Sequence, residues 1–417
     1  MAAHLSTHVR LTAVARWMAL SLLLAGQAWA FPWMVKHNYG SCTACHVDPS
    51  GAGQLTAYGR AQAEVLVRWH VTPRKEDDEV PRSANFLWAL ELPEWLNLSG
   101  NLRGGPMIRP AAATGKVVPL LMAAELYGTV NIDRFVVHAS GGVGKGPPNY
   151  VGPALVAPIC DPETKANFNA DTGQCGFGFV SREYWAGAKF ADEAVMVRAG
   201  KMNLPFGLRN NEHFTFVRQE TKTDINVGQQ VGVSAAYNSE LLRGEAMALL
   251  GNFQVGPDAY RERGYSLFAE YALRPNAYVG LSSLIGWSQL EPVQQRPLTR
   301  HAHGLFARYA PVESVALLAE ADLLVWQQPG LLDRIGFAAM VQGDWEPVQG
   351  VHVMATLEGM HRGDGARGPS LGGWASVAWY VLPHVELRLD NVLRRSPTPT
   401  GGSSFDYSLL LQLHTFL

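Results

Sequence analysis

Residues 403–417 read Ser-Ser-Phe-Asp-Tyr-Ser-Leu-Leu-Leu-Gln-Leu-His-Thr-Phe-Leu. Phe405, Tyr407, Leu409, Leu411, Leu413 and Leu417 share one face of an extended chain, with Thr415 among them. Asp406, Ser408, Gln412 and His414 take the other. Successive side chains of a strand point to opposite faces, so a period of two means one apolar and one polar face. A terminal strand of this kind is the ending expected of an outer-membrane barrel.

The same period recurs towards the N-terminus. Val385, Leu387 and Leu389 alternate with Glu386, Arg388 and Asp390. Ile335, Phe337, Ala339 and Val341 oppose Arg334, Gln342 and Asp344. Val315, Leu317, Ala319 and Leu323 oppose Glu320 and Asp322, and Tyr265, Leu267, Ala269 and Tyr271 oppose Ser266 and Glu270. A soluble barrel would turn its apolar faces inward. Charges on so many second faces fit the reverse order, apolar outside and polar inside, of a membrane barrel.

Turn lengths extend the reading. Short turns are expected near residues 131–133, 191–193, 238–240, 274–276, 311–313, 346–348 and 382–384. Longer connections fall between them, at about 106–117, 145–181, 204–228, 254–261, 289–300, 327–331, 362–370 and 395–403. Together they join about sixteen strands in an all-β, antiparallel transmembrane barrel spanning residues 94–417. Short turns face the periplasm and long loops the exterior. The long connection 145–181 holds Cys160 and Cys175, which are expected to form a disulfide in an oxidising compartment. Between them lie Asp161, Glu163, Asn167, Asn169 and Asp171, oxygen ligands that suit a cation, although the spacing departs from the calcium-loop pattern. Glu320, Asp322, Glu358 and Asp390 are candidate lumen carboxylates for a cation path.

The chain begins differently. His4, Arg10 and Arg16 precede a short apolar run, Trp17 to Gly26, and Ala28-Trp29-Ala30 is an A-x-A cleavage site. Residues 1–30 read as a signal peptide for export. The 34 Lys and Arg stand against 36 Asp and Glu, which gives no basic footprint for nucleic acid. No apolar run after residue 30 is long enough for a spanning helix.

Residues 31–93 form a small segment around Cys42-Thr43-Ala44-Cys45-His46. This C-x-x-C-H spacing is the attachment signature of one covalent haem c, with thioethers at Cys42 and Cys45 and His46 as an axial ligand of the iron. A zinc site would need a further Cys or His pair at short spacing, and a thioredoxin-like dithiol would need a βαβ context. His70 and His37 are candidates for the distal ligand, with Met34 also near. Ala61 to Trp69 suits a helix, and Lys75 to Arg82 reads as surface or linker.

A cleaved leader, one haem motif and a barrel of about sixteen strands resemble the fused outer-membrane cytochrome–porin family. The likeness covers the architecture from residue 31 onward. Cys42, Cys45 and His46 match, Leu55-Thr56-Ala57-Tyr58-Gly59-Arg60 is similar to the stretch after the haem motif in such proteins, and Arg198-Ala199-Gly200-Lys201 with Leu204-Pro205-Phe206-Gly207-Leu208-Arg209 looks like a porin strand and its loop. The chain departs at Trp33-Met34-Val35-Lys36-His37, where iron-oxidising members carry Phe-Ala-Arg.

The resemblance implies an electron-transfer protein of the outer membrane and an oxidoreductase activity towards extracellular ferrous iron. The expected partners are a periplasmic carrier such as a soluble cytochrome, an extracellular redox substrate and outer-membrane lipid. For electrons to cross on one haem, the segment is expected inside the lumen. Two other readings belong to other classes. In one, the chain is a diffusion porin whose haem segment plugs or senses; in the other, it is a peroxidase-like haem enzyme with an open iron site.

Overall fold

The computed structural model describes residues 32–70, 85–109, 117–145, 168–169, 174–175, 177–210, 212, 214–291, 295–363, 368–398 and 402–417. Its main sheet closes on itself in sixteen positions. They are β1 (Leu96–Ile108), β2 (Val117–Ile132), β3 (Phe135–Lys145), β4 (Phe177–Val180 and Tyr184–Phe190), β5 (Val195–Met202) and β6 (Gln230–Asn238). Next come β7 (Leu242–Leu249), β8 (Arg263–Arg274), β9 (Ala277–Ser288), β10 (Leu298–Val312) and β11 (Val315–Gln327). The last are β12 (Arg334–Val348), β13 (Val351–His361), β14 (Ser370–Leu382), β15 (Val385–Pro397) and β16 (Ser403–Phe416).

Each strand pairs antiparallel with its neighbours in sequence, and β1 pairs with β16 from Asn101↔Phe416 to Ile108↔Leu409. The Leu417 amide extends the seam by donating to the Gly100 carbonyl at 2.8 Å. The two parts of β4 both pair with β3 and share one position in the wall. Across the break the Ser140 amide donates to the Glu183 carbonyl at 2.7 Å, and the Glu183 amide to Ser140 Oγ at 2.9 Å. Seven connections of two to four residues alternate with eight longer ones, matching the short and long turns expected from sequence.

The alternation points the expected way. Leu317, Leu323, Ile335, Phe337, Val341, Leu387, Leu389, Leu411 and Leu413 are exposed on the outer wall, where lipid covers them. Glu320, Asp322, Gln342, Asp344, Glu386, Arg388, Asp390 and Gln412 are buried on the inner wall. The fold is an outer-membrane barrel, and the chain belongs in the outer membrane.

A barrel of this width leaves a lumen wide enough for an aqueous channel. Here two inserts occupy it. One is the N-terminal segment 32–70. The other is the connection 203–229 between β5 and β6, which the turn lengths alone place outside. It folds inward, burying Leu204, Phe206, Leu208 and Val217 with Trp185, Phe268 and Leu318 of the wall. The reason lies in its own composition: Leu204, Phe206, Leu208, Phe216 and Val217 are too apolar for an exposed loop. A short helix, Phe216–Thr221, packs against the inner wall, where the Phe216 amide donates to Glu358 at 2.7 Å.

The leader, the stretch Lys75 to Arg82, and Cys160 with Asp161, Glu163, Asn167 and Asp171 lie outside the described residues. Cys175 forms part of a two-residue strand paired with Phe168–Asn169. The disulfide and the loop cation therefore remain sequence expectations.

Leu357 projects from β13 with 72 % of its surface exposed on the lipid face. Replacing it with Arg is expected to cost about 2–4 kcal/mol near the membrane midplane. The same change at Leu332, in the connection 328–333, should stay within about 0.5 kcal/mol. Urea titration of both variants refolded into lipid vesicles compares them.

Candidate functional site

Residues 32–70 form a plug that enters from the end carrying the short turns. Both of its limbs meet that rim. On the first limb, Pro32–His37 is a short 3-10 turn with Trp33, Met34, Val35 and Lys36 buried. Trp33 packs on His352 and Tyr380, with ring centroids 4.3 and 6.3 Å apart. Lys36 Nζ lies 2.6 Å from Glu346 Oε2, so a buried ammonium meets a buried carboxylate of the wall. On the second limb, the Trp69 amide donates to the Tyr380 carbonyl at 2.9 Å, and Gln349 Nε2 donates to the Val65 carbonyl at 2.9 Å.

Between the limbs, the C-x-x-C-H stretch folds as one turn. The Cys45 and His46 amides both donate to the Cys42 carbonyl, at 3.2 and 2.9 Å. His46 then bridges to Leu55, and the Thr56 amide donates to the Cys45 carbonyl at 2.8 Å. Thr56 starts helix α1 (Ala57–Gln62), because its Oγ1 accepts from the Gly59 amide at 3.0 Å. This cap fixes the helix start four residues before the Ala61 expected from sequence, and a π-type turn from Ala63 to Val67 continues it.

Two glycines let the turn close. A Cβ on Gly59 would stand 2.5 Å from the Cys45 carbonyl oxygen. Gly51 has φ +92°, and a Cβ there would stand 3.1 Å from Cys42 Sγ. Side chains at either place would push the turn off the helix or distort the loop.

Both thiols are buried and neither is in a disulfide. Arg243 Nη1 lies 2.6 Å from Cys42 Sγ, and Cys45 packs among Trp33, Met34, Val35 and Val67. Among the described residues, no group of three or more His, Cys, Asp or Glu could hold a metal ion. The donor set itself, two separate thiols and an adjacent imidazole held on one turn, fits covalent haem. His37 and His70 sit elsewhere on the limbs. His37 Nε2 is 3.7 Å from Glu346 Oε2, and His70 Nε2 is 2.9 Å from the Glu64 carbonyl oxygen.

The tip of the plug carries a second charged anchor. Asp48 Oδ1 lies 3.1 Å from Arg198 Nη2, whose guanidinium also meets Glu245 at 2.8 Å. Asp48 further accepts from the Ser50 amide and hydroxyl. Burial pushes the Asp48 carboxyl up, but the Arg198 and Arg209 guanidiniums outweigh it and hold it below its ordinary value. Arg209 comes from the inward-folded connection and donates to Ser50 Oγ at 2.7 Å and to the Leu204 carbonyl at 2.6 Å. The two inserts therefore touch. A continuous protein path runs from the long-loop side, through Leu204 and Arg209, to the plug. Gln54, Arg60 and Gly40 tie the plug to Thr129, Asn97 and Arg308 of the wall.

Sequence reasoning found the turn and missed these anchors. Lys36, Asp48 and Arg209 look like ordinary surface charges, and only their burial separates them from such groups. Of the four candidate path carboxylates, Glu320 is engaged by Arg218, Glu358 by Arg394 and Trp374, and Asp390 by Arg388. These three tie the wall and the inserts together and do not line an open path.

Wall, closure and apolar exterior define a porin-type outer-membrane β-barrel. Solved porins share the fold. OmpT of Vibrio cholerae, in its trimer form, aligns with a TM-score of 0.57 at 9 % identity, over 77 % of this chain and 99 % of that one. An anion-selective porin from Comamonas acidovorans gives 0.54 at 11 %, over 77 % and 99 %. The outer membrane channel DcaP of Acinetobacter baumannii gives 0.51 at 11 %, over 77 % and 97 %. At such identities the likeness is one of fold. No protein-family model and no curated relative matches the chain.

Asp48 contributes stability that is full above about pH 4, the ordinary range of an aspartate, and is lost as pH falls through its lowered value. Asp48→Asn should remove that acid-side step and cost about 3–5 kcal/mol at neutral pH, because it breaks a buried ion pair. Unfolding midpoints of both proteins between pH 7 and pH 3 read the difference.

Proposed function

We propose that this protein carries electrons across the outer membrane through a covalently bound haem held in its lumen. One observation carries the reading: the C-x-x-C-H turn lies inside the barrel, between the inward-folded connection and the short-turn rim. Bound at Cys42 and Cys45, with His46 on the iron, haem c would supply one-electron redox chemistry at that point. The chain's own residues do the rest. The wall keeps lipid away. Lys36–Glu346 and Asp48–Arg198 fix the plug in place, since breaking a buried pair leaves an uncompensated charge at about 3–5 kcal/mol. Leu204 and Arg209 bring the outer insert into contact with the plug, so that no lipid or bulk water separates them. His37 and His70 are the candidate distal ligands. A soluble cytochrome would exchange electrons at the short-turn rim. An external donor or acceptor, ferrous iron in the resembling family, would do so on the long-loop side, each ferrous ion that becomes ferric delivering one electron.

The porin likeness favours a second reading, a diffusion channel whose plug regulates passage. The two readings differ in what crosses. In proteoliposomes with the long loops outward, reduction by an impermeant external donor should reach a trapped internal acceptor while small sugars stay excluded. Cys42→Ala with Cys45→Ala should lose covalent haem and drop transfer to the level of empty vesicles, with the barrel still folded. Free sugar passage without electron transfer in the unaltered protein would decide for the channel.

A further inference from the structure

Among the described residues, the buried carboxylates of the lumen meet a donor: Glu270 meets Arg243 and Arg308, Glu358 meets Arg394, and Asp344 meets His352. Asp322 on β11 departs from this rule. It is 2 % exposed, and neither carboxylate oxygen has a hydrogen-bond partner among the described protein groups. Ser282 on β9, 3 % exposed, also has an unpartnered Oγ.

The register brings these groups together. Ser282 pairs with Gly304 of β10, and Gly304 pairs with Asp322, so the three lie side by side across adjacent strands and face the lumen. Gly304 contributes no side chain and leaves a notch between the other two. A Cβ built there would stand 2.1 Å from Asp322 Oδ1 and 2.8 Å from Ser282 Oγ, so both oxygens lean over the same spot. Glu320, two residues earlier on the same face, adds an Oε1 that also lacks a hydrogen bond. Its other oxygen accepts from the Leu208 amide and lies against Arg218. Arg218 therefore balances Glu320, and Asp322 is left without a counter-charge.

A buried carboxylate without a counter-charge is strongly disfavoured. Oxygen donors select hard cations, and a single net charge matches a single positive one. We propose that Asp322 and Ser282, across the Gly304 notch, hold a monovalent alkali cation in the lumen wall. This site is separate from the plug turn and does not depend on how the turn is used.

The test is thermal unfolding of the detergent-solubilised full chain in NaCl, KCl or choline chloride at one ionic strength. Matching ionic strength removes general screening, and a ligand that binds only the folded state raises the midpoint with its concentration. The expected result is a midpoint that climbs as NaCl or KCl replaces choline chloride. Asp322→Asn should make it flat. Gly304→Ala should also flatten it, because the added methyl fills the notch while both oxygens remain. Equal midpoints in all three salts would overturn the proposal, as would a slope that survives Asp322→Asn. If that variant does not assemble, an unchanged slope in Gly304→Ala overturns it equally. A midpoint that follows pH but not salt identity would mean a proton sits on Asp322, and one that responds only to added calcium chloride would refute the charge count; either result rejects the site as stated.

Discussion

A strand that crosses hydrocarbon must find every hydrogen-bond partner in its neighbours, because lipid offers none. For this chain the requirement is met only when β16 returns to β1. The pairing from Asn101↔Phe416 to Ile108↔Leu409 leaves no open edge. Closure then fixes the rest. It puts Leu387, Leu389, Leu411 and Leu413 against lipid, turns Glu386, Arg388, Asp390 and Gln412 inward, and encloses a polar space that must be filled with water or with protein.

Here protein fills much of it. The inner wall is dense in charge, and a charge inside a barrel is favourable only with a partner. Arg198 is met by Asp48 from the plug and Glu245 from β7, Glu346 by Lys36 of the plug, and Glu320 by Arg218 of the inward-folded connection. Each insert therefore supplies counter-charges to the wall, and the wall holds each insert in register. The same contacts position the C-x-x-C-H turn, since its neighbours Lys36, Gly40, Asp48 and Gln54 are all bound to strands.

The plug and the connection 203–229 meet at Ser50 and Arg209. That contact joins the two inserts inside the lumen. The departure at Trp33-Met34-Val35-Lys36-His37 from the resembling family also acquires a physical sense. Trp33 seats on His352 and Tyr380 while Lys36 meets Glu346, so these residues serve the docking of the plug.

The period-two pattern by itself determined the strands, their inward and outward faces, and the alternation of short and long connections, because lipid on one side and charge on the other leave a local imprint on every strand. The C-x-x-C-H spacing is equally local, and so was legible. The placement of the plug was not. Nothing in Asp48, Arg209 or Lys36 distinguishes a lumen anchor from a surface charge until the barrel closes around it. Nor does the length of the connection 203–229 tell whether it points out or in; that depends on whether Leu204, Phe206 and Leu208 find an apolar surface, and the surface exists only once distant strands are side by side. The tertiary structure also decided the meeting of Ser282, Gly304 and Asp322, which a strand register creates and no single stretch of sequence contains.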